Sequence, residues 1–375
     1  MMRILALEPY YGGSHKAFLD GWSDTSRHDW TILSLPPYKW KWRMRHAAVT
    51  FAEQVCERLS QGENWDVLFC SDMLNLAEFR GLAGGAVSTL PTILYFHENQ
   101  FTYPVRIASE RDYQLAVTNM TSALAAQAVW FNSTFHKASF LGALETFLRR
   151  MPDHQPLGAV ERIGRKSHVQ PPGVRSAPQR GAREPGPLRI VWAARWEHDK
   201  NPEDFFEALT ILKERGIDFR VSAIGEQFSE RPEVFTWARE AFADRIDHWG
   251  YQKDHADYLA ALLGADVFVS TANHEFFGLS AVEATLAGAY PLLPKRLAYP
   301  EIFSFSGDNE AEPFLYDGSP KALAHRLAAL AQLQAQGRSL FDRAAEMRDQ
   351  LRRFEWPNLA PTLDDAAEAL LSHNQ

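Results

Sequence analysis

Glu275 and Glu283 stand eight residues apart around a glycine, in the run Glu275-Phe276-Phe277-Gly278-Leu279-Ser280-Ala281-Val282-Glu283. An apolar strand, Asp266 to Ser270, precedes the run, and a small-residue helix, Ala281 to Ala289, follows from it. A glycine at the mouth of a helix lets a ligand approach the backbone closely. The first-turn N–H groups then face an anionic or hydroxyl-rich guest. Glu275 lies on the loop and Glu283 more than two turns further on, so the two carboxylates address different parts of one extended ligand. A sugar nucleotide, with hydroxyls, two phosphates and a ribose in series, has that form. An ordinary helix start carrying two unrelated glutamates fits the same residues.

Other unusual residues follow apolar strands. Arg195-Trp196-Glu197-His198-Asp199-Lys200-Asn201-Pro202 places two cations on a loop that ends at a helix-initiating proline. A nucleoside diphosphate leaving group held without a metal needs fixed positive charge. Arg195 can bind oxygens bidentately and Lys200 can act as a point charge, although a surface charge cluster is the alternative. Glu8-Pro9-Tyr10-Tyr11-Gly12-Gly13-Ser14-His15-Lys16 follows the first strand, with Gly12 and Gly13 opening a helix and Ser14 as its expected cap. It is neither a G-x-G-x-x-G fingerprint nor a Walker loop, and a tight turn fits equally. His97-Glu98-Asn99-Gln100-Phe101-Thr102-Tyr103-Pro104 follows another strand and is rich in hydrogen-bonding side chains, with a capped buried histidine as the alternative. Gly225-Glu226 and Trp249-Gly250-Tyr251 close two further strands and suit either the walls of a base or ribose site or plain turns. No metal is expected: His97 and Glu98 lack companions at ligand spacing, and no Asp-x-Asp is present to hold a divalent ion on a diphosphate.

The elements that must carry these residues alternate. Strands are predicted at Arg3–Glu8, Trp30–Leu35, Asp66–Cys70, Thr92–Phe96, Ala128–Asn132 and His168–Gln170. Helices are predicted at Lys16–Trp22, Ala47–Leu59, Arg111–Ala126 and Thr134–Arg149. A Pro/Gly/Arg-rich stretch from Pro171 to Pro187 has no periodicity and reads as a linker. The pattern then restarts with strands at Leu188–Ala194, Phe219–Ile224, Ile246–Trp249, Asp266–Ser270 and Tyr290–Leu293, separated by helices. Later helices are expected at Ala322–Gln334, Leu340–Arg353 and Asp364–Leu371. This is an α/β chain of two Rossmann-like, doubly wound parallel-sheet domains. The expected division is 1–175, a linker at 176–187, 188–354, and a C-terminal helix in 355–375 that packs back towards the first domain. Ligands of such sheets bind beyond the carboxyl ends of the strands, so two facing domains are expected to hold theirs in the intervening cleft.

Composition narrows the class. The 375 residues are 46% hydrophobic and 12% aromatic, as in an ordered protein of two cores. Two cysteines, Cys56 and Cys70, give no disulfide framework and fit a reducing cytoplasm. No apolar run reaches the roughly 18 residues of a membrane span, and the first residues enter a strand instead of a signal peptide. The net charge of −8 argues against global attraction to nucleic acid. Residues 1–183 nevertheless hold 20 Lys/Arg against 16 Asp/Glu, whereas 184–375 hold 19 against 31, so a polyanionic partner is expected at the first half.

The second half resembles the nucleotide-sugar domain of retaining glycosyltransferases of the GT-B fold, the large family 4 type. Glu275, Phe277, Gly278 and Glu283 match its E-x-F-G-x-x-x-x-E motif, and Arg195 and Lys200 match R-x-x-x-x-K. The first half resembles a narrower group, the tRNA-queuosine mannosyltransferase family. The segments that carry this likeness are Glu8 to His15, Lys39-Trp40-Lys41-Trp42-Arg43-Met44-Arg45-His46, Ser71 to Leu76, Tyr95 to Gln100 and Phe131-Asn132-Ser133. The resemblance implies GDP-mannose as donor and the cyclopentene-diol of queuosine at the wobble position of tRNA(Asp) as acceptor. It implies that Arg195 and Lys200 hold the diphosphate, Glu275 and the amides of Phe276, Phe277, Gly278 and Leu279 hold the sugar, and Glu283 holds the ribose. His97 would bond the transferred sugar, with Gly12, Gly13, Gly225 and Tyr251 completing the donor site. Ser14, His15, Glu98, Asn99 and Gln100 would face the acceptor.

The run from Lys39 to Arg45 bears on RNA independently. Cation and aromatic alternate over its first five residues; if extended, Lys39, Lys41, Arg43 and Arg45 share one side and Trp40 and Trp42 the other. Stacking surfaces beside phosphate contacts suit unpaired RNA bases. An amphipathic edge strand with buried tryptophans is the alternative. Arg162, Arg165, Lys166, Arg175, Arg180 and Arg183 could add phosphate contacts. Three readings compete: mannosyl transfer to queuosine tRNA, transfer from a nucleotide sugar to a lipid, glycan or small metabolite, and a catalytically silent nucleotide- or RNA-binding module. A sugar-nucleotide epimerase of similar architecture is a fourth.

Overall fold

The computed structural model describes residues 1–105, 111–178, 180–228, 231–304 and 313–372. All eleven expected strands form, and each half of the chain builds a parallel sheet. Contacts divide the chain into one unit of Met1–Gly173 with Trp356–Gln375 and a second of Val174–Glu355.

In the first unit β1 (Arg3–Glu8), β2 (Asp29–Ser34), β3 (Val67–Ser71), β4 (Thr92–Phe96), β5 (Ala128–Phe131) and β6 (Ser167–Val169) are ordered β2-β1-β3-β4-β5-β6. In the second, β7 (Leu188–Ala193), β8 (Phe219–Ile224), β9 (Ile246–Gly250), β10 (Val267–Val269), β11 (Tyr290–Pro294) and β12 (Leu315–Tyr316) are ordered β12-β11-β10-β7-β8-β9. Central strands such as β3 and β4 are buried at every residue, which is why they read as unbroken apolar runs. Strand order reverses between β1 and β3 and between β7 and β10. These switch points open crevices at the carboxyl ends of the strands, where α/β sheets receive ligands.

One face of the first sheet is packed with rings: Phe18, Trp22, Phe69, Tyr95, Trp130 and Trp356 are all buried. The C-terminal helix expected within 355–375 runs from Trp356 to Ser372, extending Asp364–Leu371 at its N-terminal end. Trp356 lies where side chains on Gly21 and Gly173 would stand, at 1.9 and 2.4 Å from their built Cβ positions, and Trp22 donates to Asp364 at 2.8 Å. The second unit stacks Trp196 on Phe235, with centroids 3.8 Å apart and planes 1° from parallel.

Three expectations are corrected. Lys39 to Arg45 is no strand. Trp40 begins a helix that continues to Ser60, with Lys39 before it at φ 50°. The alternation that suggests an edge strand spans only five residues, and the Trp40/Met44 pair at helical spacing decides the outcome by burying against Met73 and Leu115. Leu340 to Arg353 is broken into helices Leu340–Arg343 and Ala345–Leu351. The arginines near the linker are largely engaged. Arg183 donates to both oxygens of Asp266 at 2.7 and 2.8 Å, and Arg180 bonds Gly288 O at 2.9 Å, strapping the linker to the second unit. Lys166 is likewise committed to the carbonyls of Leu124 and Ala126, while Arg162 and Arg165 belong to a helix, Gly158–Arg165, that sequence periodicity does not reveal. Among the described residues no helix is long and apolar enough to cross a membrane.

Candidate functional site

At the β1/β3 switch point of the first unit, four ionisable side chains from distant parts of the chain converge. Glu8, the last residue of β1, accepts from Tyr10 N at 2.8 Å and Ser71 Oγ at 3.0 Å. Its other oxygen lies 3.2 Å from His15 Nδ1. The His15 ring lies 4.0 Å from that of His97, tilted by 33°. Asp72, after β3, accepts from His97 N at 3.0 Å and is itself fixed through its carbonyl by Asn119 at 2.9 Å. All four are buried, and among the described residues Asp72 Oδ2 and His97 Nε2 have no hydrogen-bond partner. Burial opposes charge on His15, but the carboxylates of Glu8, Asp72 and Glu98 outweigh it and raise the ring to about 9. Burial pushes Asp72 up to about 7, against the pull of His15. His97 is driven well below its ordinary value by burial and by its His15 and His136 neighbours, so it stays neutral.

This corrects the premise behind the expected absence of a metal. His97 does have companions: single ligand atoms of Glu8, His15 and His97 lie within 4.8 Å of one another, a set that a divalent ion can use. Sequence spacing could not reveal them, because they come from the ends of β1 and β4 and the first helix.

Around this cluster the expected acceptor residues divide. Gly12 caps the helix Gly13–Thr25, and Ser14 lies exposed in its first turn without making the expected cap bond. Gln100 is buried, its N–H given to Asn119 at 2.8 Å. Asn99 is fully buried and shapes the loop by bonding Thr102 at 2.8 and 3.0 Å, so its side chain is structural. Glu98 is half-buried beside them. Trp40 is half-buried in a small apolar cluster, whereas Trp42 is 61% exposed.

In the second unit the β7/β10 switch point gathers the other carboxylates and cations. Lys200 is buried and donates to His274 O at 2.7 Å, with Asp199 Oδ2 and Glu275 Oε2 both 3.3 Å from its Nζ. Burial works against the ammonium, but Glu275 and Asp199 hold its pKa above the ordinary lysine value. Burial likewise opposes the Glu275 carboxylate, and Lys200 nevertheless brings it below the usual range. Glu275 Oε1 accepts from Phe276 N at 3.1 Å, so the carboxylate folds back onto the loop amides. Arg195 is partly exposed and pairs with Glu197 at 3.2 Å. Gly278 has φ 94°, and a side chain there would meet Tyr299 at 2.8 Å, so glycine is required on two counts. Phe276 and Phe277 are buried, which leaves only their backbone to a ligand. Leu279 opens the helix Leu279–Leu286, on which Glu283 is held by Tyr258 Oη at 2.7 Å. Burial raises Glu283 above the usual carboxylate range. Gly225 crosses so close to Ala194 O that no Cβ fits, and Tyr251 is 61% exposed after β9. Asp72, Asp199 and Tyr258 are the members that motif reading misses; only their places beside strand ends and matched residues could have signalled them.

Residues 3–174 match the family described as tRNA-queuosine alpha-mannosyltransferase N-terminal, and residues 175–349 match glycosyl transferases group 1. The chain is 38% identical over 312 residues to the tRNA-queuosine alpha-mannosyltransferase of Drosophila melanogaster, covering 80% of this chain and 81% of that protein. It belongs to the tRNA-queuosine alpha-mannosyltransferase family. A GDP-mannose-dependent alpha-(1-6)-phosphatidylinositol dimannoside mannosyltransferase of Mycobacterium tuberculosis is 26% identical over 179 residues, 48% of this chain and 43% of that one. Among solved structures, sucrose-phosphate synthase of Thermosynechococcus elongatus superposes with a TM-score of 0.71 at 14% identity, over 99% of this chain and all of that one. The architecture is the two-domain GT-B fold of the glycosyltransferases.

Proposed function

We propose that this protein transfers mannose, with retention of configuration, from GDP-mannose to the cyclopentene-diol of queuosine at the wobble position of tRNA(Asp). The 38% identity that runs through both units to a tRNA-queuosine alpha-mannosyltransferase carries this reading. The GDP-mannose dependence stated in the name of the mycobacterial relative supports the donor.

In this reading Lys200 and Arg195 meet the negative charge that grows on the departing diphosphate, where fixed charge counts most. Lys200 is suited to this because Asp199 and Glu275 keep its ammonium charged despite burial. The diphosphate then needs no metal of its own. Glu275 would release its own loop amides to the sugar, and Glu283 would take the ribose with Tyr258 fixing its second oxygen. His97, neutral, would bond the transferred mannose. The departing phosphate oxygen would assist deprotonation of the acceptor hydroxyl on the same face, so no protein nucleophile is assigned. Catalysis in the cytoplasm, where tRNA and nucleotide sugars meet, fits two unpaired cysteines.

The test is incubation of the purified protein with radiolabelled nucleotide sugars and total tRNA, with and without queuosine. Label in tRNA only when GDP-mannose and queuosine are both present is the expected outcome. Label in a lipid extract, or in tRNA lacking queuosine, overturns the assignment.

A further inference from the structure

Among the described residues of the first unit, Met1 aside, the most exposed large hydrophobic side chains are Tyr38, at 63%, and Trp42, at 61%. They lie four residues apart where the chain turns through Lys39 into the helix Trp40–Ser60. Exposing two large rings is unfavourable unless something covers them. Trp42 is continued along the helix by His46, whose ring lies 5.0 Å away and is tilted by 32°. Burial and Arg43, which contacts it at 3.0 Å, lower the pKa of His46, and its ring extends the aromatic surface of Trp42. Cations border it. Lys39 lies 5.3 Å from the Tyr38 ring, Lys41 is exposed in the first turn of the helix with its ammonium 5.6 Å from the Trp40 ring, and Arg45 pairs with Asp112 at 3.0 Å.

This ledge is rigidly joined to the strand-end cluster. Leu35 N donates to Glu8 O at 3.0 Å and Leu35 O accepts from Tyr11 N at 2.9 Å. Pro37 fills the space of a Gly12 side chain, 2.5 Å from its built Cβ. Trp40, half-buried against Met44, Met73 and Leu115, pins the helix start beside Tyr10. The loop from Leu35 to Lys39, which carries Tyr38, therefore packs directly on the loop from Glu8 to Gly12.

We propose that Tyr38 and Trp42 are stacking surfaces for unpaired nucleotides that flank the modified base of the acceptor RNA, with Lys39 and Lys41 taking the adjoining phosphates. This rests on the reading of an RNA acceptor above and assigns its grip to side chains outside the transfer site. Rings of any sequence stack on such surfaces, and the ammonium groups beside them match a polyanion. A membrane-docking face would instead need contiguous apolar area, whereas here every exposed ring is interleaved with a cation.

The experiment compares wild type, Trp42→Ala, Tyr38→Ala/Trp42→Ala, Trp42→Phe and Lys39→Ala/Lys41→Ala in three measurements. They are transfer to queuosine tRNA, transfer to free queuosine nucleoside, and fluorescence-anisotropy binding of an anticodon stem-loop that lacks queuosine. Trp42→Ala is expected to raise KM for tRNA and the stem-loop Kd roughly ten-fold, with the nucleoside reaction and thermal midpoint unchanged. Trp42→Phe should recover most of the loss. The lysine pair should lower the salt slope of stem-loop binding by roughly 0.7 for each residue removed. Unchanged tRNA KM and stem-loop Kd in the double ring variant overturn the proposal. Ring-dependent binding to phosphatidylserine vesicles with RNA binding unaffected also overturns it, reassigning the ledge to a membrane. Ring-dependent stem-loop binding without any queuosine transfer upholds the ledge while removing the queuosine reading.

Discussion

Lys200 and Arg195 are assigned one task but occupy unlike settings, and removing each should give unlike results. Lys200 is 9% exposed and lies 3.3 Å from both Asp199 and Glu275. Lys200→Ala leaves two carboxylates facing each other with no cation, and breaking such a buried pair costs about 3–5 kcal/mol. For a domain of this size that lowers the thermal midpoint by roughly 6–20 °C. Arg195 and Glu197 are about one-third exposed, a setting in which an ion pair contributes at most about 1 kcal/mol. Arg195→Ala should therefore lower the midpoint by no more than about 4 °C. Its effect on turnover should resemble loss of one preorganised donor to a developing oxyanion, roughly 100- to 1,000-fold in kcat. Calorimetry and transfer of labelled mannose under single-turnover conditions separate the two quantities. The double variant Lys200→Met/Glu275→Gln removes the cation with one of its two carboxylates and leaves only Asp199 charged, so it should regain part of the lost stability and none of the activity. Arg195→Ala with near-normal kcat, or Lys200→Ala with an unchanged midpoint, would refute the reasoning.

Three other outcomes follow from the same geometry. His15, raised from 6.5 to about 9, adds up to about 3 kcal/mol of stability. That contribution is complete below pH 6.5 and disappears as pH climbs through 9. The melting temperature of the wild type should accordingly fall over that window more than that of His15→Gln. Tyr258→Phe frees the second oxygen of Glu283 and should raise the donor KM roughly three- to ten-fold with kcat little changed; an unaltered KM would show that Glu283 does not touch the donor. Transfer should survive exhaustive chelation, since cations from the chain balance the diphosphate; activity lost on chelation and restored by zinc would instead place an ion on Glu8, His15 and His97.

The alternation of strands and helices was legible because parallel strands covered on both faces must be apolar throughout, as β3 and β4 are. The strand-end positions of Arg195, Lys200, Glu275 and Glu283 were legible because the four lie on two short stretches that follow apolar strands, and the fold sets Lys200 3.3 Å from Glu275. The cluster at the β1/β3 switch point was not. Glu8, His15, Asp72 and His97 meet only because strand order reverses between β1 and β3, and no local pattern encodes that crossing. The Lys39–Arg45 run misled because five residues of alternation satisfy a strand, while the deciding contact of Trp40 with Met73 and Leu115 is tertiary. Arg180 and Arg183 look like free cations in the sequence and prove to be the ligature on Asp266.

The helix that begins at Trp356 has a consequence for biosynthesis. It caps the ring-filled face of the first sheet, yet it leaves the ribosome after the entire second unit has emerged. Phe18, which packs on Trp356, and Trp22, which bonds Asp364, must wait without those partners through some 180 residues of translation, at roughly 5–20 residues per second. A nascent chain in that condition is a natural client for chaperones. Expression of the leading 173 residues alone should give aggregates, whereas residues 174–355, contiguous in sequence, form the piece that can be excised whole.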